Sequence, residues 1–246
     1  MRVLTWNILT GGGRRRDAIV SILRRERPDL LALQELRGFD DTRLRTVADA
    51  VGMVPHLARS VFGQPVAVLV RPPLRILRRD AVTWRLHHAA AAVSIGAFTL
   101  VSTHLNPYSG DRRYREAVFL ASRFRSPVLL AGDLNSLDPH ADHTAALAAL
   151  GARYRARHLR PDGTADTRTI AALESRGLAD LWRVAGSGAG ETVPTSVGGA
   201  EFGPMRLDYL LGSPSVAALV RSVRVLRDEE TAYASDHYPV LAELSR

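Results

Sequence analysis

Polar residues fit for phosphate chemistry recur in this chain at the ends of apolar runs. Asn7 ends "TWN", Glu35 ends "LQE", and His104 stands in "STHL". Asp133 and Asn135 follow in "GDLNS", Asp208 in "RLDYLL", and Asp236 with His237 in "SDHYPV". Glu35, Asp236 and the amide oxygen of Asn7 are hard oxygen donors, suited to Mg²⁺ or Mn²⁺ rather than to zinc. A divalent ion there would neutralise a phosphoryl oxygen and the leaving oxygen. Asp133 is then the group to orient or deprotonate a water for in-line attack, with Asn135 holding that water or the phosphate. A carboxylate such as Asp208 beside His237 would hold the imidazole and favour its charged form, which stabilises developing negative charge. His104 would be a second phosphate contact or a general acid. All of these are roles in phosphate-ester hydrolysis.

Each residue also has a plainer use. Asp and Asn favour helix caps and turns, yet the "DPHADHTAALAAL" that follows offers Asp138 as a cap, with Pro139 in the first helical turn. Asp208 lies between Leu207 and Tyr209 and needs a partner, either His237 or the neighbouring Arg206. Glu35 could end a strand in solvent, Asn7 could turn the chain before "GGG", and His237 could be structural. What favours chemistry is the whole set.

The elements that must position these residues read as follows. Strands are expected at 2–9, 29–36, 65–71, 74–84, 89–95, 97–103, 128–131, 205–211, 216–226 and 238–244, many of them apolar on both faces. Helices are expected at 14–26, 41–52 and 110–124, the last with Tyr114, Ala117, Val118 and Leu120 on its inner side. The Gly-, Ser-, Thr- and Pro-rich stretch 185–204 reads as a loop. Strands alternating with helices predict a layered α/β architecture with helices covering the sheet faces. No composition break marks a boundary, so residues 1–246 are expected to form one domain.

Composition is that of a soluble protein, with 46% apolar and 24% charged residues. No apolar run has the length of a membrane span. "MRVLTWN" reads as a strand rather than a signal peptide. There is no cysteine, which excludes disulfides and thiolate metal sites, and the expected compartment is the cytoplasm. All 33 basic residues are arginine, against 25 acids, for a net charge of +8. Lacking lysine, the chain has no Schiff-base chemistry and no lysine-bearing phosphate loop. The excess of arginine suits an anionic partner, although codon bias accounts for it equally well.

Three further stretches invite comparison with binding sites. In "NPYSGDRRYREA", Arg112 and Arg113 would meet a substrate phosphate while Tyr108 offers a stacking face. A solvated helix with Glu116 paired to arginine is the competing reading. "GGGRRR" at 11–16 looks like a phosphate cradle but reads better as a flexible connection. His140, Asp142 and His143 have metal-like spacing but read as surface decoration. Trp6 and Trp84 are expected in the core.

"TWN", "LQE", "STHL", "GDLNS", "RLDYLL" and "SDHYPV", in this order, resemble the motifs of the endonuclease/exonuclease/phosphatase (deoxyribonuclease I-like) superfamily. The motifs run from residue 5 to residue 240, nearly the whole chain. The resemblance implies a four-layered α/β sandwich, in which two mostly antiparallel sheets pack face to face with helices outside. It implies a metal-dependent site at one edge, with Asn7 and Glu35 at the metal, Asp133 and Asn135 at the nucleophile, and an Asp208–His237 pair. Asp236 would ligate the metal or support the site. AP endonucleases carry an acid two residues beyond the first Asn, where this chain has Leu9, and a tyrosine where it has His104. The "THL" form resembles the deoxyribonuclease-like, sphingomyelinase-like and phosphatase branches instead. The glutamate that partners this histidine in some nucleases has no counterpart in "FGQPVAVLVRP".

The expected activity is Mg²⁺-dependent hydrolysis of phosphodiesters, Mn²⁺ being the other candidate ion, with DNA or RNA the favoured substrate. The alternatives are a phosphatase or phosphodiesterase acting on a small metabolite or lipid headgroup, and an inactive binding module. A lipid enzyme would need an exposed apolar hairpin, and none stands out in the sequence.

Overall fold

Apolar segments buried on both faces form the inner strands of two sheets in the computed structural model, which describes residues 1–125 and 127–245. The strands are β1 (Arg2–Asn7), β2 (Leu30–Gln34), β3 (Val54–Ala58), β4 (Val66–Val70), β5 (Arg78–Val82) and β6 (Ala90–Ser94). They continue with β7 (Thr99–His104), β8 (Val128–Asp133), β9 (Ala179–Asp180), β10 (Asp208–Gly212), β11 (Val220–Val225) and β12 (Val240–Leu244). One sheet has the order β3-β4-β2-β1-β12-β11, the other β5-β6-β7-β8-β10-β9. Read in those orders, both sheets repeat one succession of pairings: antiparallel, antiparallel, parallel, antiparallel, antiparallel. The parallel pairs, β1–β2 and β7–β8, lie at the centre of their sheets.

The sheets pack face to face through one interior. Val3, Leu30, Ala32 and Val68 meet Ala91, Leu100, Leu129 and Leu210 there. The opposite face of the first sheet is covered by helices α1 (Arg16–Glu26) and α2 (Asp41–Val51), whose Ile19, Ile22, Leu23, Leu44 and Val47 bury against Leu4, Leu31 and Leu69. The outer face of the second carries α3 (Gly110–Arg123) and the helix Arg168–Glu174, through Ala117, Leu120, Ile170 and Leu173. This is the expected four-layered α/β sandwich. Polar groups also cross the interior: Gln34 Nε2 donates to Ser102 Oγ at 3.0 Å, and Ser102 Oγ donates to Leu33 O at 3.1 Å.

Several expectations need correction. Strand β3 lay hidden because Pro55 and His56 interrupt its apolar run; as an edge strand it tolerates proline. The stretch 74–84 narrows to β5, and 216–226 divides into a short helix, Pro214–Ala217, and β11. Asp138 caps no helix, since helical structure begins only at Thr144. Its carboxylate instead accepts from His140 N at 2.9 Å and from Arg206 Nη2 at 2.5 Å. Trp84 is 62% exposed rather than in the core. The turn joining β3 to β4 shows Val61 and Phe62 to solvent, an exposed apolar tip that the sequence reading missed. Of the expected loop 185–204, Ala185 instead ends the helix Leu181–Ala185, and the rest has no helix or strand, with Val193 paired to Met205 in an isolated bridge.

Candidate active site

The two central parallel pairs end at a common edge, where the polar residues of the motifs converge. Asn7 closes β1, and its amide nitrogen lies 3.1 Å from both Glu35 Oε1 and Asp133 Oδ2. This amide therefore stitches one sheet to the other. Its oxygen accepts from Leu9 N at 3.1 Å, so the amide turns its nitrogen, not its oxygen, towards the acids. Glu35 follows β2 in the left-handed region, φ +59°, and its second oxygen accepts from Thr10 N at 3.0 Å. A side chain other than glycine in that region stores strain, which is common at functional sites. Gly11 and Gly12 spend their N–H groups on Glu35 O and Leu9 O, so "GGGRRR" is an ordered turn that braces Glu35 rather than a phosphate cradle.

Asp133 ends β8 at the centre of the cluster. It can reach that point because Gly132, at φ +146°, lies so close to Thr103 that a Cβ would collide with its carbonyl oxygen. One Asp133 oxygen accepts from Asn135 N at 2.9 Å. The other faces Asn7, His104 Nε2 at 3.3 Å and His237 Nε2 at 3.7 Å. Burial pushes the Asp133 carboxyl above its ordinary value, with Asp208 adding to the rise and the two imidazoles opposing it. Asn135, at φ +50°, donates from its side-chain nitrogen to Leu105 O at 3.1 Å, which fixes the amide beside Asp133.

His237 Nδ1 sits 2.7 Å from Asp208 Oδ2, and both residues are buried. Arg206, the competing partner for Asp208, is taken by Asp138 and Asp180 at 2.5 and 2.6 Å. Burial opposes a charge on His237, but Asp208, Asp133 and Asp236 outweigh it and hold the imidazole well above its usual value. Trp6 Nε1 donates to His237 O at 2.8 Å and anchors the backbone. Ser235 Oγ donates to Asn7 O at 2.6 Å and lies 3.2 Å from Asp236 Oδ1. The Asp236 carboxyl is pushed up by burial and by Glu35 and Asp133 nearby. The Glu35 carboxyl is held below its usual value: burial opposes this, but His104, Thr10 N–H, Asn7 and His237 prevail.

The structure thus brings together Asn7, Glu35, His104, Asp133, Asn135, Asp208, Asp236 and His237. It does not bring Arg113 to the site surface. Arg113 is buried in α3, where its guanidinium donates to the carbonyls of Asn106 and Arg157. Glu116 is buried too, accepting from His87 N at 2.7 Å and Asn106 N at 2.8 Å instead of forming a surface ion pair. Arg112 and Tyr108 are exposed beside the site. His140, Asp142 and His143 are each engaged separately, by Glu174, Thr144 and Asp138 O.

Sequence reasoning missed His88. Its ring stacks on His104 at 4.1 Å, and its Nδ1 accepts from Gln64 N at 2.8 Å. That bond leaves the neutral ring's proton on Nε2, a buried donor with no partner among the described residues. Burial, His104 and His87 hold His88 neutral. The "FGQPV" segment therefore backs His104 through a second histidine instead of through a glutamate. Phe202, from the loop 186–204, packs edge-on against His237 at 5.2 Å.

Asp133, Asp208 and His237 each offer a ligand atom within 4.8 Å of one another, and so form a possible metal-binding group. The short Asp208–His237 bond occupies Nδ1 of that group, and a charged imidazole is a poor ligand. The carboxylates of Glu35 and Asp236 have no such commitment to a histidine.

Buried acids and imidazoles at the shared edge of two face-packed sheets define a class, the phosphoester hydrolases of this sandwich fold. The family model described as Endonuclease/Exonuclease/phosphatase family matches residues 4–237, and the chain belongs to that family. Among solved structures it is similar to an AP endonuclease from Archaeoglobus fulgidus, at 16% identity and TM-score 0.75, with 100% of each chain covered. A 3'-5' exonuclease from Neisseria meningitidis matches at 22% identity and TM-score 0.74, again over 100% of both chains. The mannosyl-6-phosphatase of Bacteroides thetaiotaomicron matches at 17% and 0.71 over 100% of both. Among curated proteins no sequence matches the chain. No helix among the described residues is long and apolar enough to cross a membrane.

Proposed function

We propose that the protein hydrolyses phosphodiesters with the help of Mg²⁺, and that nucleic acid is its substrate. One observation carries this reading: Asp133 Oδ2, which accepts from Asn7, also faces His104 Nε2 and His237 Nε2, while Asp208 holds His237 from behind at 2.7 Å. A base and two imidazoles around one point are suited to water attack on a phosphorus atom.

The acids fit a divalent cation. Asp133 and Asp236 are both raised by burial and by neighbouring carboxylates, a deficit of positive charge that a cation relieves. Glu35 and Asp236 would hold the ion, with hard oxygen donors suited to Mg²⁺ or Mn²⁺. When bound, it supplies charge neutralisation at the phosphoryl and leaving oxygens. Asn7 keeps Glu35 and Asp133 apart and oriented through its amide nitrogen. Asp133, made more basic by burial, takes the proton of the attacking water at Oδ2. Asn135 N–H fixes Oδ1 and the Asn7 amide steadies Oδ2, so that Oδ2 keeps its aim. His237, held charged by Asp208, donates from Nε2 to a phosphoryl oxygen, and His104 donates from Nε2 on the side towards β7. The +8 charge and the three arginines beside His87 favour a polyanion over a small ester.

The test is hydrolysis of plasmid DNA, a generic diester and a panel of phosphomonoesters, with Mg²⁺ or with EDTA. EDTA is expected to abolish turnover, and Asp133→Ala to lower kcat by about 10²–10⁴-fold. Hydrolysis of monoesters alone would reassign the protein as a phosphatase. An Asp133→Ala variant as active as the wild type would remove Asp133 from the mechanism.

A further inference from the structure

Beside the site runs an open groove of about 860 Å³, lined among others by Phe62, Arg85, His87, Arg112, Arg115 and Phe119. Phe62 is 83% exposed, and neighbouring Trp84 is 62% exposed. Trp84 packs against Phe119 at 5.8 Å, and the Arg85 guanidinium lies over both rings, 5.1 and 5.4 Å from their centroids. Among the described residues, no carboxylate pairs with Arg85, Arg112 or Arg115. The one acid of the groove, Glu116, is spent on the His87 and Asn106 N–H groups. The groove therefore presents net positive charge interleaved with flat apolar faces.

The groove is continuous with the catalytic edge. His87 contacts His88 at 4.6 Å, His88 stacks on His104 at 4.1 Å, and Tyr108 meets His87 edge-on at 5.6 Å. A chain of rings thus leads from the groove to the imidazole beside Asp133.

We infer that this groove holds the unpaired strand of a single-stranded nucleic acid next to the scissile phosphate, stacking its bases on Phe62 and Trp84 and pairing its phosphates with Arg85, Arg112 and Arg115. The inference rests on the nuclease reading above and adds the form of the substrate. Charge alone would suit any polyanion. Exposed rings set among guanidinium groups ask for something more, a ligand whose flat faces alternate with negative charge. Duplex stacks conceal those faces, and an unpaired strand shows them. A lipid surface would also take up Val61 and Phe62. It makes no use, however, of arginines spread along a groove that leads to the site.

Binding is read by fluorescence anisotropy on the Asp133→Asn variant with Mg²⁺, using a labelled single strand, the matching duplex, and vesicles of phosphatidylglycerol and phosphatidylcholine. The single strand is expected to bind at least about 10-fold more tightly than the duplex. Phe62→Ala or Trp84→Ala, each in that background, should weaken it by about 5- to 100-fold. Arg112→Ala with Arg115→Ala should flatten its salt dependence. Both rings lie at the surface, and circular dichroism checks that the variants fold. Equal binding of single strand and duplex, unmoved by the ring variants, overturns the inference. So does Phe62-dependent binding to vesicles without binding to the single strand. Hydrolysis of the generic diester by the wild-type protein separates the two readings. A protein that cleaves it but shows no strand preference loses only the groove assignment. One that binds the strand but cleaves no diester loses the nuclease reading.

Discussion

Replacing Asp208 by asparagine keeps a hydrogen-bond acceptor near His237 Nδ1 but removes the charge that holds the imidazole protonated. The expected result is a fall in the midpoint of His237, followed by NMR titration, and a loss of about 10²-fold in kcat. An unmoved midpoint would show that burial and the other acids govern the imidazole without Asp208. A carboxylate between Leu207 and Tyr209 shows in the sequence that Asp208 needs a partner, but the choice of His237 over Arg206 came from the resemblance of the motifs. Arg113 was not, because Arg112 and Arg113 look alike on a helix. What separates them is tertiary: the carbonyls of Asn106 and Arg157 accept one guanidinium and draw it inside. His88 carried no spacing signal in "RLHHAA". Only the pairing of Ala90 with Thr103 brings it against His104. The orientation of Asn7 was equally hidden, since an amide named as an oxygen donor turns its nitrogen to the acids once Leu9 N claims the oxygen.

At the scale of elements, β8 carries the greatest constraint. Gly132→Ala would drive a methyl group into the Thr103 carbonyl, where the parallel partner strand leaves no room. The expected loss is at least about 2 kcal/mol in urea unfolding, with a larger loss of activity because Asp133 follows directly. Full stability in that variant would mean that β7 and β8 part more easily than their register implies. Doubly apolar strands such as β2, β4 and β8 were legible because hydrophobic runs report burial on both faces. Short elements were not. The helix Glu229–Ala234 begins with a capping box between Asp228 and Thr231, a local signal present in "DEET" and passed over. The expected cap at Asp138 failed for the opposite reason. Arg206 offers that carboxylate a buried ion pair, and no helix starts at Asp138.

For the whole molecule, buried histidines tie stability to pH. Burial, with Arg113 and Arg157 nearby, lowers His158 to about 4. Between pH 6.5 and 4 the unfolded chain binds a proton there that the folded chain excludes, so stability falls as the pH drops. The slope is about 1.4 kcal/mol per pH unit for one such group. Urea unfolding at pH 7, 6 and 5 is expected to give a wild-type slope steeper than that of His158→Gln by about one proton; equal slopes would show His158 charged in the fold. The layered α/β class was readable from alternating elements, but the matching order of the two sheets was not. That matching has a mechanical meaning. Asn7 and Asp133 close equivalent strands of the two sheets, as Glu35 and His104 follow or close another such pair, so each sheet carries one jaw of the site. The gap between the jaws is set by the thickness of the apolar filling, the side chains of Ala32, Val68, Leu100 and Leu129 acting as a shim. The spacing of the two jaws is therefore set from deep inside the sandwich, by residues that line no part of the candidate site.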